Sequence, residues 1–246
     1  MVIKVLIYNV FQTLPEPIRF YGTNERCVRV KHAIKDLDDT HSIDVCILNE
    51  VITPFAQKQL HKDMKSLGFI HSSEKLKNTL MITGGTIIYS KWPIRQTITS
   101  PFGDNCSGVD CYAAKGVVYT RIEKEEKIYN IFGTHLQAWP SIKNNHVREN
   151  QIRQIQQFVT AMKIPPEEPV IIGGDFNIDM YLDKPSFQHL MFITNTDVPK
   201  ITEQSEKFTV DPLQNNLVGS DDPIKYSNAE WPDGCTDEYY KTLICP

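Results

Sequence analysis

Residues 170–179, VIIGGDFNID, constrain the fold more than any other stretch of the chain. Val170-Ile171-Ile172 is an apolar run of strand character and strand length. Gly173-Gly174 ends it with backbone that can turn sharply and pack closely. Asp175 and Asn177 follow, with Phe176 between them. Side chains alternate faces along extended chain, so this spacing predicts Asp175 and Asn177 on one side and Phe176 in the core. A buried strand that delivers a carboxylate and an amide to one spot is a catalytic layout. The plainer alternative is a strand followed by an Asx turn.

Other strands repeat the pattern. Residues 2–10 read as a first strand that ends at Asn9, a polar side chain in an apolar run. Pro15 and Pro17 mark an irregular connection. Thr23 or Asn24 can cap a helix running to Asp39, with Val28, Val30, Ala33, Ile34 and Leu37 as its apolar stripe. Residues 43–48 form a second strand, followed at once by Asn49-Glu50. A helix near residues 55–67 stops at Gly68. Thr83-Gly84-Gly85 precedes a strand at 86–89, SKWP makes a turn, and residues 94–98 alternate as a half-exposed strand. Residues 101–110 read as loop. Residues 116–122 and 127–132 pair as a hairpin, and His135 follows its second arm. Asn144 or Asn145 can cap a helix to Met162 whose apolar face is Ile152, Ile155, Val159 and Met162. After Asp179 the pattern weakens to a short helix at 187–192 and a loop-rich tail. The final LICP resembles the start of another strand. No repeat or linker divides residues 1–246, which read as a single α/β domain.

A net charge of -4 gives no basic footprint for gripping nucleic acid. No apolar run reaches the roughly 18 residues that span a bilayer, and the opening residues carry no leader pattern. Six cysteines lack zinc-ligand spacing. Cys46 reads as a buried hydrophobe, and Cys106 and Cys111 can close a small loop in an oxidising compartment.

Asn9, Glu50, His135 and the Asp175/Asn177 pair thus sit at strand ends, where layered α/β folds gather ligands. Carboxylates and amides are hard oxygen ligands, suited to Mg²⁺ and poor for Zn²⁺. A nearby histidine can stabilise charge on a phosphate. The set is a kit for phosphodiester hydrolysis.

The ordered segments YNV, LNEV, GG before a strand, SKWPI, AKGVVYTRI, GTHLQA, VRENQI and GGDFN resemble the endonuclease/exonuclease/phosphatase superfamily. More closely, they are similar to the bacterial-type neutral sphingomyelinases, or sphingomyelinase C. That resemblance implies a DNase I-like four-layer α-β-β-α sandwich of two mostly antiparallel sheets. It implies Glu50 as the main Mg²⁺ ligand with Asn9 beside it, Mn²⁺ or Co²⁺ being alternatives. His135 would stabilise the phosphate, Asp175 would orient the base or the water, and Asn177 would bind the phosphate. The implied reaction is attack of water on sphingomyelin, releasing ceramide and phosphocholine. A sphingomyelin-containing membrane is the implied partner, no nucleic acid is expected, and the chain is expected to be a monomer. Secretion is implied, with a cytoplasmic location as the alternative.

The pattern is broken in places. The Ser-Asp-His segment carrying the family's general base is missing, and after Asp179 the sequence has only His189. Thr83 stands where an acidic residue usually precedes Gly-Gly. Tyr240-Lys241-Thr242 stands where Leu-Asp-Tyr is expected. The aromatic hairpin that bacterial members press into lipid would lie past Pro246 or be absent. A chain truncated before its last strands accounts for this best, with a degenerate copy as the rival, and either implies weak activity. Alternative functions are a DNase-like nuclease or phosphatase on the same fold, and a non-catalytic lipid-binding protein.

Overall fold

The computed structural model describes residues 2–12, 23–76, 82–180 and 183–199. In chain order its elements are β1 (Val5–Gln12), α1 (Thr23–His41), β2 (Val45–Val51), α2 (Pro54–Ser66), β3 (His71–Ser72), β4 (Ile82–Thr83), β5 (Ile87–Ser90) and β6 (Ile94–Pro101). A 3-10 turn at Gly108–Tyr112 leads to β7 (Ala113–Ala114), β8 (Gly116–Lys124), β9 (Lys127–His135), α3 (Ile142–Ala161), β10 (Val170–Asp175) and α4 (Lys184–Thr194).

Two four-stranded sheets form, in the orders β1-β2-β5-β3 and β10-β9-β8-β6. Each has one parallel pairing, β1 with β2 and β10 with β9, and is otherwise antiparallel. Strand alternation sorts the apolar residues into three cores. Cys46, Leu48, Ile87 and Tyr89 face Val30 and Ile34 of α1 and Leu60 and Met64 of α2. Their strand neighbours Val45, Ile47 and Ile88 point the other way, into Val118, Ile122 and Ile131 of the second sheet. Val117, Tyr119 and Phe132, on that sheet's far side, pack against Ile152 and Ile155 of α3 and Leu190 of α4. Helices, sheet, sheet, helices are therefore four layers with one apolar seam between each neighbouring pair, as the family resemblance implies.

Several local expectations need correction. The buried face of α1 is Cys27, Val30 and Ile34, while Val28 is 62 % exposed and Leu37 lies at the surface. Apolar residues crowd both sides of that helix, and the sheet selects only one. The cap of α3 is Ser141, whose hydroxyl accepts from Asn144 N, so Asn144 lies inside the helix. β1 continues past Asn9 to Gln12, and Glu50 precedes the last residue of β2. The loop expected at 101–110 carries β6 at its start and the 3-10 turn at its end. Phe176 packs on the α3–α4 core as expected. The strand, however, stops at Asp175, and Asn177 has φ 50°, so a turn and not alternation brings the pair together. The Pro15–Pro17 connection, Lys241 and the strand expected at the C-terminus lie outside the described residues.

Candidate active site

Each sheet sends two neighbouring strands to one rim. In the first, Asn9 pairs in register with Asn49, and an extra residue in β1 before Gln12 makes a bulge with Phe11 at φ 48°. Glu50 itself has φ 61°. That conformation is sparsely populated for a side-chain-bearing residue and recurs at functional sites. Gly85 makes room for it: a Cβ there would lie 2.9 Å from Glu50 Cα. In the second sheet, His135 pairs with Asp175 across β9 and β10. Gly174 at φ 143° is forced by the same pairing, since a Cβ would meet Thr134 O at 1.9 Å.

Asn49 stitches the two rims together. Its Nδ2 donates to Thr134 O at 2.9 Å and Thr86 Oγ1 at 3.0 Å, and its Oδ1 accepts from Asp175 N at 3.1 Å. It is fully buried. Across this stitch the chemical groups converge. Asn9 Nδ2 donates to Glu50 Oε1 and Asp175 Oδ2, both at 2.8 Å. His135 Nε2 stands 3.9 Å from Glu50 Oε1 and 4.0 Å from Asp175 Oδ2. One ligand atom each from Glu50, His135 and Asp175 lies within 4.8 Å of the others.

The electrostatics of this cluster are unresolved within the protein. Burial, more than the charge of Asp175, pushes the Glu50 carboxyl upward, against the hydrogen bond from Asn9. Burial, then Lys115, lowers His135 to about 4, so the imidazole is neutral. Among the described residues, Glu50 Oε2 and His135 Nδ1 are buried without a hydrogen-bond partner, which is costly unless something else satisfies them. Two carboxylates, one of them with an orphaned oxygen, fit a hard divalent cation. Asn9 presents its nitrogen to the carboxylates while its Oδ1 accepts from Phe11 N; to ligate through oxygen, the amide would have to turn over.

Asn177 joins the network through a turn. Its N donates to Asp175 Oδ1 at 2.9 Å, and its Nδ2 donates to Leu136 O at 3.0 Å. The Asx turn and the converging side chains are thus the same feature. His189 lies on α4, with Nε2 3.2 Å from Glu149 Oε1 on α3, away from the cluster. Thr83 accepts from Gly85 N and supports the glycine pair.

Residues that sequence reasoning passed over surround the site. Lys115 Nζ is buried, 2.6 Å from Asp110 Oδ2, 2.8 Å from Leu136 O and 3.4 Å from His135 Nε2. Asp110 also accepts from Ala138 N. Gln151 Oε1 accepts from Gln137 N, and Arg148 donates to Gln137 O and Trp139 O. The only signals for Lys115, Gln137, Arg148 and Gln151 are the motifs AKGVVYTRI, GTHLQA and VRENQI themselves, and Asp110 lies in none of them. The Cys106–Cys111 disulfide forms and closes the loop that carries Asp110.

The signature of the endonuclease/exonuclease/phosphatase family matches residues 18–197. The chain is 33% identical to a sphingomyelinase C of Bacillus cereus, over 91% of this chain and 73% of that protein. It is 30% identical to a sphingomyelinase C of Leptospira interrogans, over 89% of this chain but only 41% of that longer protein. A Staphylococcus aureus beta toxin variant with bound magnesium ions superposes with a TM-score of 0.71 at 27% identity, covering 80% of this chain and 72% of that one. The chain therefore belongs to the endonuclease/exonuclease/phosphatase family, within its sphingomyelinase C branch.

Proposed function

We propose that the chain is a Mg²⁺-dependent phosphodiesterase that hydrolyses sphingomyelin to ceramide and phosphocholine at a membrane surface. The observation that carries this reading is the Glu50–His135–Asp175 cluster with its orphaned Glu50 oxygen. Glu50 would hold the cation, with Asp175 and Asn9 adjoining; Mn²⁺ and Co²⁺ suit the same donors less specifically. A bound cation supplies Lewis-acid polarisation of a phosphate oxygen. Asp175 would orient the attacking water, Asn177 would bind a phosphate oxygen, and His135 would stabilise its charge. The magnesium ions in the beta toxin variant support the choice of metal.

A lipid surface as partner is supported by the rim of the site. Val109, Tyr112, Trp139 and Ile142 are exposed, on two segments joined through Asp110 and Ala138. An exposed apolar rim suits contact with a lipid surface. The disulfide supports an extracellular setting. Residues 1–246 are read as one domain acting as a monomer without nucleic acid.

Phosphocholine release from sphingomyelin vesicles, with Mg²⁺ and with EDTA, tests this. Release that needs Mg²⁺ and disappears in Glu50→Gln supports the reading. Vesicle binding without release would make the chain a lipid-binding copy. Faster cleavage of plasmid DNA under the same conditions would make it a nuclease.

A further inference from the structure

On the side of the first sheet that faces α2, a pocket of 340 Å³ opens between that helix, residues 72–75 and β5. Ile87 and Tyr89 form its apolar floor, and Lys58, His61, Lys75 and Gln57 line its walls. Lys58 and His61 are three residues apart on α2 and so share a face. Lys75 reaches across from the opposite wall to Gln57 Oε1. Among the described residues no carboxylate lines the pocket, although the chain carries a net charge of -4. The His61 ring stands 6.2 Å from that of Tyr89. Burial lowers the His61 pKa, and the charges of Lys65 and Lys75 lower it further. Cations and a titratable imidazole facing one concavity repel each other until an anion joins them.

We propose that this pocket binds a phosphate-type oxyanion, supplied either by a free phosphomonoester or by a phosphomonoester lipid headgroup. The ammonium groups of Lys58 and Lys75 would donate to its oxygens, and His61 would do so once protonated. The floor would take the first carbons of the attached organic group. The site is separate from the Glu50 cluster, since Ile87 and Tyr89 point into the helix-facing core.

Two probes test it on the full chain. Inorganic phosphate is titrated at constant ionic strength while the His61 ring is followed by NMR. Vesicles of phosphatidylcholine with and without phosphatidic acid are tested for retention in EDTA, so that no hydrolysis intervenes. The expected result is a saturable His61 shift with its titration midpoint raised, weakened about tenfold in K58Q/K75Q. K62Q, on the same helix outside the pocket, should bind like the parent. Retention on phosphatidic acid that depends on Lys58 and Lys75 assigns the lipid source, and a response to phosphate alone assigns the soluble one. The proposal is overturned if neither probe gives a response that K58Q/K75Q weakens, or if K62Q weakens it equally. Circular dichroism of the double variant guards against mistaking unfolding for lost binding.

Discussion

Lys115 and Asp110 illustrate how much of a site can rest on a buried ion pair outside any regular pattern. Both side chains are nearly inaccessible, at 8 % and 13 % exposure. Lys115 also donates to Leu136 O, the carbonyl that anchors Asn177. Removing one partner of a buried pair typically costs 3–5 kcal/mol, because the other charge is stranded. Ala138 N still donates to Asp110, so Lys115→Met should cost about 3 kcal/mol, at the lower end of that range. Urea unfolding measures it, and a loss within about 0.5 kcal/mol, the ordinary range for surface changes, would refute the stabilising role. Asn49 supports a second prediction. Asn49→Ala leaves Asp175 N, Thr134 O and Thr86 Oγ1 without that partner. At about 1 kcal/mol or more for each unmet buried group, it should lower stability by about 3 kcal/mol. An unchanged thermal midpoint would mean that other groups or water take over all three bonds. Asn9, Glu50, His135, Asp175 and Asn177 were legible because each ends or follows an apolar run. Asn49 sits beside Glu50 in LNEV yet drew no attention, because its role is to join strands that are 85 and 126 residues away.

At the level of elements, legibility followed length and punctuation. α2, α3 and the β8–β9 hairpin carried their periodicity in view. β3, β4 and β7 are two residues each, too short for any pattern and defined only by their partners. The motif VRENQI gained a meaning only in three dimensions. Arg148 and Gln151 stand 3 residues apart on α3 and both grip the chain that leaves His135. The disulfide plays a similar part for the other flank. Cys106 and Cys111 are 5 residues apart and bracket Asp110. Closing so short a loop removes chain entropy worth about 2 kcal/mol. A Cys106→Ser/Cys111→Ser variant should lose about that much, and amide exchange should rise first in residues 104–112. Exchange rising uniformly over the molecule would show that the loop is not a separate unit.

Across the whole molecule the two sheets are pinned at both ends, by Asn49 at the site and by Asp44 at the other end of β2. Asp44 is buried and accepts from Lys4 N at 2.8 Å, Trp92 Nε1 at 2.7 Å and Lys124 Nζ at 2.8 Å. Lys4 and Trp92 flank β2, while Lys124 ends β8 in the opposite sheet. The SKWPI motif, prominent in the sequence resemblance, is therefore part of a structural clamp remote from the chemistry. Lys91 of the same motif pairs with Asp38 on α1 at 2.7 Å. Burial alone would raise the Asp44 pKa, but the bonds from Lys124, Trp92 and Lys4, with the Lys124 charge, outweigh it and hold the carboxyl below its ordinary value. A carboxyl depressed in the folded state contributes stability above its unfolded pKa, about 3.9, and loses it as pH falls through the lower folded value. The parent should therefore lose stability on acidification below about pH 4 more steeply than Asp44→Asn, and should be the more stable protein near neutrality. Urea midpoints taken from neutral pH into the acid range give both slopes. If the two curves run parallel, the Asp44 charge does not contribute to joining the sheets, and the neutral hydrogen bonds alone suffice.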